Sequence, residues 1–194
     1  RFGSAWNWAD AYLQCVYGVD SDKYKMLRES MIARRVLLLV DGIDEGGQLR
    51  DEIELTVGRI NGDFDTMDHT AIRYLHQAFP REEMVALYLA ADVMLVTALR
   101  DGMNLVAKEY VASRIDNRGV LLLSEFAGAA DELGSAIRIN PHDIDGMKDA
   151  IMRAVEMPGT EQGRRMRTLR RRVLDHDVSD WSKSFLEALA AAKR

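Results

Sequence analysis

The chain has one cysteine, Cys15, among its 194 residues. That excludes an internal disulfide and a cysteine-built zinc cluster, and it agrees with a reducing compartment. Taken alone, Cys15 reads as a small buried hydrophobe. Lys and Arg are outnumbered by Asp and Glu, leaving a formal net charge of −5. The cationic excess on which phosphate-backbone binding rests is therefore missing, and no nucleic-acid partner is expected. No apolar run is long enough to span a bilayer or resembles a signal peptide, so a soluble, cytoplasmic protein with no membrane partner is expected. No Gly-x-x-x-x-Gly-Lys-Ser/Thr phosphate loop occurs anywhere in the chain, which removes the cradle that NTPase chemistry needs. Internal repeats and low-complexity tracts are also lacking. The first residue is Arg1 rather than Met, so the chain reads as processed or as a fragment.

Hydrophobic residues make up 47% of the sequence, enough for one substantial core. Apolar runs of strand length at Arg35 to Val40, Ile72 to Leu75, Val93 to Thr97 and Val120 to Leu123, with a weaker one at Ile137 to Ile139, alternate with helical patterns. Such alternation predicts a parallel sheet covered by helices on both faces, a doubly wound α/β unit. Arg81 to Ala91 is expected to be helical, with Met84, Leu87, Tyr88 and Ala91 on one face, and Met103 to Ser113 forms the next helix. Ile144, Met147, Ile151 and Val155 mark a further helix, and Met166, Leu169 and Val173 another; both stripes read as core. Asp180 to Leu189 closes the chain as an amphipathic helix carrying Trp181, Phe185 and Leu189 on one face. Gly58 to Thr70 has loop composition. The Arg164, Arg165, Arg167, Arg170, Arg171 and Arg172 cluster reads as solvated charge around an apolar stripe, with an anion-binding strip as the alternative, and no site is assigned to it.

The segment that carries chemistry is Asp92 to Glu109. A buried strand ends near Thr97, Gly102 permits a sharp turn, and a helix starts at about Met103, so ligand-binding groups are expected at the carboxyl edge of the sheet. The amides of Met103, Asn104 and Leu105, at the positive end of the helix dipole, would hold a phosphate or sugar hydroxyls without a metal. Asp101 and Glu109 are eight residues apart, which puts one carboxylate at the loop and the other about two turns along the helix. Two acceptors so spaced suit opposite ends of a nucleotide sugar; an N-terminal helix carboxylate plus a solvated Glu is the plainer alternative.

The run centred on Arg100-Asp-Gly-Met-Asn-Leu-Val-Ala-Lys-Glu109 resembles the signature of the trehalose-6-phosphate synthases, glycosyltransferase family 20, with Ala98 where the family usually has Pro. The likeness extends, in the family's order, to Val57-Gly-Arg-Ile-Asn-Gly62, Tyr74-Leu-His76, Leu123-Ser-Glu-Phe-Ala-Gly-Ala-Ala130, Asn140-Pro-His-Asp-Ile-Asp-Gly-Met147 and Asp177-Val-Ser-Asp-Trp181. The resemblance implies a Rossmann-like parallel sheet, the C-terminal half of a two-domain GT-B glycosyltransferase. It implies transfer of glucose from UDP-glucose to glucose 6-phosphate with retention of configuration, needing no metal or other cofactor, and with glucose 6-phosphate engaged only if an N-terminal domain is supplied. Carried over, Asp101 and the amides of Gly102, Met103 and Asn104 would hold the glucosyl hydroxyls. Leu105 and Val106 would lie by the diphosphate, Glu109 would take the ribose hydroxyls, and Phe79 would line the uracil pocket. No catalytic residue is assigned: His76 falls at a strand end in the family pattern and His69 in a variable loop.

Two departures accompany the resemblance. The family's donor domain opens with a strand followed by an Arg and a Lys that neutralise the departing diphosphate, whereas here Val40-Asp-Gly-Ile-Asp-Glu-Gly-Gly47 has Gly42 in place of the Arg and no Lys follows. Single electrostatic contacts of this kind are worth roughly 10² to 10³ in rate, so independent turnover is not expected. Residues 12–47 resemble instead a NACHT-type NTPase Walker B segment, with Asp41 or Asp44 as the magnesium-proximal acid, although a buried strand with a solvated acidic loop explains the same residues. The two resemblances meet between Gly47 and Leu49. The expected division is thus an N-terminal segment 1–48, including one strand, and a nucleotide-sugar-binding domain 49–194. Three functions stay open: a donor-binding domain, a non-catalytic nucleotide-sugar-binding or regulatory module, and an NTPase fragment.

Overall fold

The computed structural model describes residues 36–39, 47–67 and 70–192. These fall into two compact units, one holding the sheet with the elements from Arg81 on, the other ending at Pro80. Cys15, Asp41, Gly42, Asp44 and His69 lie outside the described residues. The strands are β1 (Val36–Leu39), β2 (Val93–Val96), β3 (Val120–Ser124) and β4 (Ile137–Ile139). The helices are α1 (Gly47–Phe64), α2 (Arg81–Ala90), α3 (Leu105–Ser113), α4 (Ala129–Glu132), α5 (Ile144–Val155), α6 (Gly159–Asp175) and α7 (Val178–Ala192).

The four strands pair in parallel in the order β1-β2-β3-β4, with Val36 opposite Val93, Met94 opposite Leu121 and Leu122 opposite Ile137. Every residue of β2 and β3 is buried, the mark of strands covered on both faces. Side chains alternate between two cores, as the strand period of two requires. Met94, Val96, Leu121 and Leu123 pack with Tyr88 of α2, Ala107, Tyr110 and Val111 of α3, and Met166 and Leu169 of α6. Val93, Leu95, Val120, Leu122, Ile137 and Ile139 pack with Ala154 and the half-buried Met147, Ala150 and Ile151 of α5. Each such buried aliphatic side chain contributes about 1.5–3 kcal/mol, so these two layers, rather than any surface ion pair, hold the sheet together. On α6 Met166 and Leu169 are buried and Val173 half-buried against the same core, whereas Ile144, at the first turn of α5, is exposed.

Arg114 closes two helices at once. It is the C-cap residue of α3 and is only 3% exposed. Its Nη1 donates to the carbonyls of Tyr88 and Leu89, in the last turn of α2, and of Ala91, just past it, at 3.2, 2.7 and 3.1 Å. Its Nε donates to Arg118 O at 2.9 Å and Asp116 balances its charge. Orphan carbonyls at a helix end need such donors when water is excluded.

In the unit that ends at Pro80, two expectations are corrected. Gly58 to Thr70 does not begin as a loop, because α1 runs through Gly58 and Gly62 to Phe64. Half-buried Ile53, Val57, Ile60 and Asn61 recur at helical spacing, and that face outweighs the roughly 1 kcal/mol that each glycine costs a helix. Ile72 to Leu75 is not a strand. The Asn61 side chain occupies both backbone groups of Ile72, accepting from its amide at 2.8 Å and donating to its carbonyl at 2.9 Å. Asp65 likewise accepts from the Ala71 amide, so this stretch finds its hydrogen bonds on α1 and the turn after it.

The arginine-rich face of α6 is mostly exposed, with Arg164 and Arg165 both donating to Glu161. On α7 the expected apolar face forms, and Trp181 stacks on Phe185 with ring centroids 5.4 Å apart. No helix among the described residues is long and apolar enough to cross a membrane.

Candidate functional site

The chain leaves β2 at Val96 and turns at Asp101 to Asn104 before entering α3. Asp101 organises the turn. Its Oδ1 accepts from the amides of Met103 and Asn104 at 2.9 and 3.0 Å, and its Oδ2 accepts from Asn104 Nδ2 at 2.9 Å. Asn104 has φ 72°, ψ 81° and caps the helix, its Oδ1 accepting from the Ala107 amide at 2.9 Å. Asparagine is among the few residues other than glycine that accept this left-handed conformation, and it is a strong N-cap. Two expectations change accordingly. The helix begins at Leu105, not Met103, because the Asp101 carboxylate draws the intervening amides into a turn. For the same reason the Met103 and Asn104 amides are engaged by Asp101 instead of standing open.

A second segment braces the turn from the loop after β3. The Asp101 amide donates to Phe126 O at 3.2 Å, the Gly128 amide to Asp101 O at 2.9 Å, and the Ala129 amide to Met103 O at 2.7 Å. Ser124 Oγ, fully buried, donates to Ala98 O at 2.6 Å. Gly128 is required by this approach, since a Cβ there would fall on the Gly102 carbonyl. The sequence reading missed this brace. Leu123 to Ala130 was noticed only as part of a longer pattern, and nothing in its periodicity tells which loop it meets.

The turn and helix bring Asp101, Gly102, Met103, Asn104, Leu105, Val106 and Glu109 onto one loop and helix start at the carboxyl ends of β2 and β3. Asp101 and Val106 are half-buried, Asn104 is buried, and Gly102, Met103, Leu105 and Glu109 are exposed. The exposed Gly102, Met103 and Leu105 thus stand at the positive end of the α3 dipole, and Glu109 presents an exposed carboxylate a little over one turn further along the helix. Lys108 pairs with Glu132 of α4 at 2.8 Å, tying α3 down beside the turn. Glu109 accepts a hydrogen bond at Oε2 from the Tyr88 hydroxyl at 3.0 Å. Burial first, and then Glu109, push the Tyr88 phenol well above the usual tyrosine range, so it stays a donor at any working pH. By its spacing Tyr88 belongs to the apolar stripe of α2, and nothing local in the sequence signals the role of its hydroxyl. Phe79 is half-buried in the irregular segment of the unit that ends at Pro80, and His76 stacks on Tyr74 in the same segment. Among the described residues no group of three or more His, Cys, Asp or Glu could hold a metal ion. A cleft of about 500 Å³ lies elsewhere, between α5 and α6, and contains none of these site residues.

The trehalose-6-phosphate synthase of Mycobacterium avium is 56% identical over 148 residues, which is 76% of this chain and 30% of that protein. Among solved structures, an alpha,alpha-trehalose-phosphate synthase (UDP-forming) from Burkholderia xenovorans in complex with glucose-6-phosphate superposes with TM-score 0.77 at 31% identity, over 92% of this chain and 48% of that one. An E. coli structure bound with UDP-2-fluoro glucose superposes with TM-score 0.72 at 36% identity, over 86% of this chain and 40% of that one. The chain therefore spans about a third of the length of the sequence relative and less than half of each solved structure. Glycosyltransferase family 20 matches residues 36–191. With a parallel α/β sheet of the GT-B kind and this match across most of its length, the chain belongs to glycosyltransferase family 20.

Proposed function

We propose that residues 49–194 form the nucleotide-sugar-binding domain of a retaining glycosyltransferase that makes trehalose 6-phosphate from UDP-glucose and glucose 6-phosphate. Residues 1–48 are an N-terminal segment that includes strand β1, and the protein works in the cytoplasm. Transfer requires an N-terminal half to present glucose 6-phosphate. The bond from glucosyl C1 to the UDP oxygen then breaks, a bond from C1 to the acceptor's anomeric oxygen forms as that hydroxyl gives its proton to the departing phosphate oxygen, and UDP leaves. Asp101 and the turn to Asn104 hold the glucosyl hydroxyls, Leu105 and Val106 border the diphosphate at the start of α3, and Glu109 takes the ribose hydroxyls. The observation that carries this reading is the intact turn into α3, with Asp101 at its mouth and Glu109 a little over one turn into the helix, in a chain of this family. The bound ligands of the Burkholderia and E. coli proteins support the substrate classes.

A non-catalytic nucleotide-sugar-binding or regulatory module is the second reading, favoured by Gly42 where the resemblance calls for Arg and by the absence of a following Lys. Titration calorimetry with UDP-glucose, UDP and ATP tests both readings. UDP and UDP-glucose should bind and ATP should not. Asp101→Ala and Glu109→Ala should each weaken UDP-glucose by about 10- to 100-fold, the worth of a hydrogen bond to a charged group. Parent-like binding by both variants would overturn the site. Turnover with a supplied N-terminal half separates the enzyme from the module.

A further inference from the structure

We infer that Tyr88 is a positioning residue for the nucleotide-sugar site, fixing the Glu109 carboxylate through its hydroxyl so that the remaining carboxylate oxygen is presented to the ribose hydroxyls. This rests on the reading of Glu109 given above.

Three observations carry it. Glu109 is exposed on α3, and a solvated glutamate samples many rotamers, so a ligand that needed one of them would lose affinity to ordering. Here one oxygen, Oε2, is held at 3.0 Å by the Tyr88 hydroxyl, a hydrogen bond to an ionised acceptor and hence of the stronger kind. Tyr88 itself cannot wander. It is 1% exposed and packs edge-on against Tyr110, with ring centroids 6.2 Å apart at 81°. Its own carbonyl is one of the three that Arg114 holds. The buried phenol, the helix end and the carboxylate thus form one chain of contacts running from the core to the exposed face of α3. Preorganisation of this sort is how rigid elements lend precision to a surface group.

The test is Tyr88→Phe, which keeps the ring and removes only the hydroxyl, read by calorimetry against UDP and 2′,3′-dideoxy-UDP, with folding checked by thermal melting. The expected result is a loss of about three- to tenfold for UDP, parent-like affinity for the dideoxy analogue, and no further loss when Tyr88→Phe is added to Glu109→Ala. Equal weakening of both nucleotides would overturn the inference, because a purely structural defect does not distinguish ribose hydroxyls. Unchanged UDP affinity would overturn it too. Should Tyr88→Phe fail to fold, Glu109→Asp withdraws the carboxylate from the phenol at an exposed position, and parent-like UDP binding by that variant would overturn the proposal. If Glu109→Ala leaves UDP binding unchanged, the donor-site reading itself fails, an outcome distinct from failure of Tyr88 alone.

Discussion

The turn into α3 and the turn into α5 both follow a parallel strand, yet they are built in different ways. At α3 the backbone takes hydrogen bonds from Gly128 and Ala129, 27 and 26 residues further along the chain than the carbonyls they reach. At α5 the start is closed within one turn, Asp143 Oδ1 accepting from the Gly146 amide at 3.0 Å. A helix start of the second kind is written in three or four neighbouring residues and forms wherever they stand. The first kind exists only after the loops following β2 and β3 have met. It can then hold strained φ values and buried polar groups that a ligand site uses.

Two glycines break this comparison most directly. A Cβ at Gly128 would fall on the Gly102 backbone carbonyl, while a Cβ at Gly146 would fall on the end of the Asp143 side chain, which can rotate away. Gly128→Ala should therefore cost about 2–4 kcal/mol through displaced backbone and lost bracing bonds, and should lower the melting temperature by roughly 5–15 °C. Gly146→Ala should change stability by less than about 0.5 kcal/mol, because the weakened cap is offset by the better helix propensity of alanine. Scanning calorimetry of the two variants measures both. Comparable losses would mean that the two turns are not built differently after all.

The start of α6 sharpens the comparison at its weak end. Its N-cap is Pro158, with no side-chain cap, and Glu161 in the first turn accepts from Arg164 and Arg165. Hydrogen bonds from these two arginines hold the Glu161 carboxyl below its ordinary value of 4.5, at about 2. The folded state thus prefers the ionised form. Its contribution is full above the ordinary carboxylate range and is lost as pH falls toward about 2. Glu161→Gln should lower the melting temperature slightly near neutral pH, with the gap to the parent closing as pH falls from about 5 to about 2. Added salt should narrow the gap as well, since the group is solvated. A gap independent of pH would sink the assignment to ionisation.

How much of this was legible in the sequence follows the same division. β2 and β3 were readable because burial on both faces demands unbroken apolar runs, and α5 and α6 because their stripes repeat at the helical period. The α1 glycines and the Ile72 to Leu75 run misled. Composition there suggested loop and strand, while the deciding fact was the Asn61 amide pairing with the Ile72 backbone, eleven residues apart. In the candidate site, Asp101 to Glu109 stands out in the sequence because its residues are contiguous. The Gly128 brace and the Tyr88 hydroxyl could not, since each reaches its partner across more than twenty residues and neither disturbs the local pattern.

The Arg114 guanidinium has a further consequence for motion. Because Arg114 caps α3 with its backbone N–H and holds the carbonyls at the end of α2 with its side chain, fraying of either helix at its carboxyl end takes the α2 carbonyls away from the buried charge. Amide hydrogens in the last turns of α2 and α3 should then exchange with deuterium through one shared opening, at closely similar protection, as a single cooperative unit.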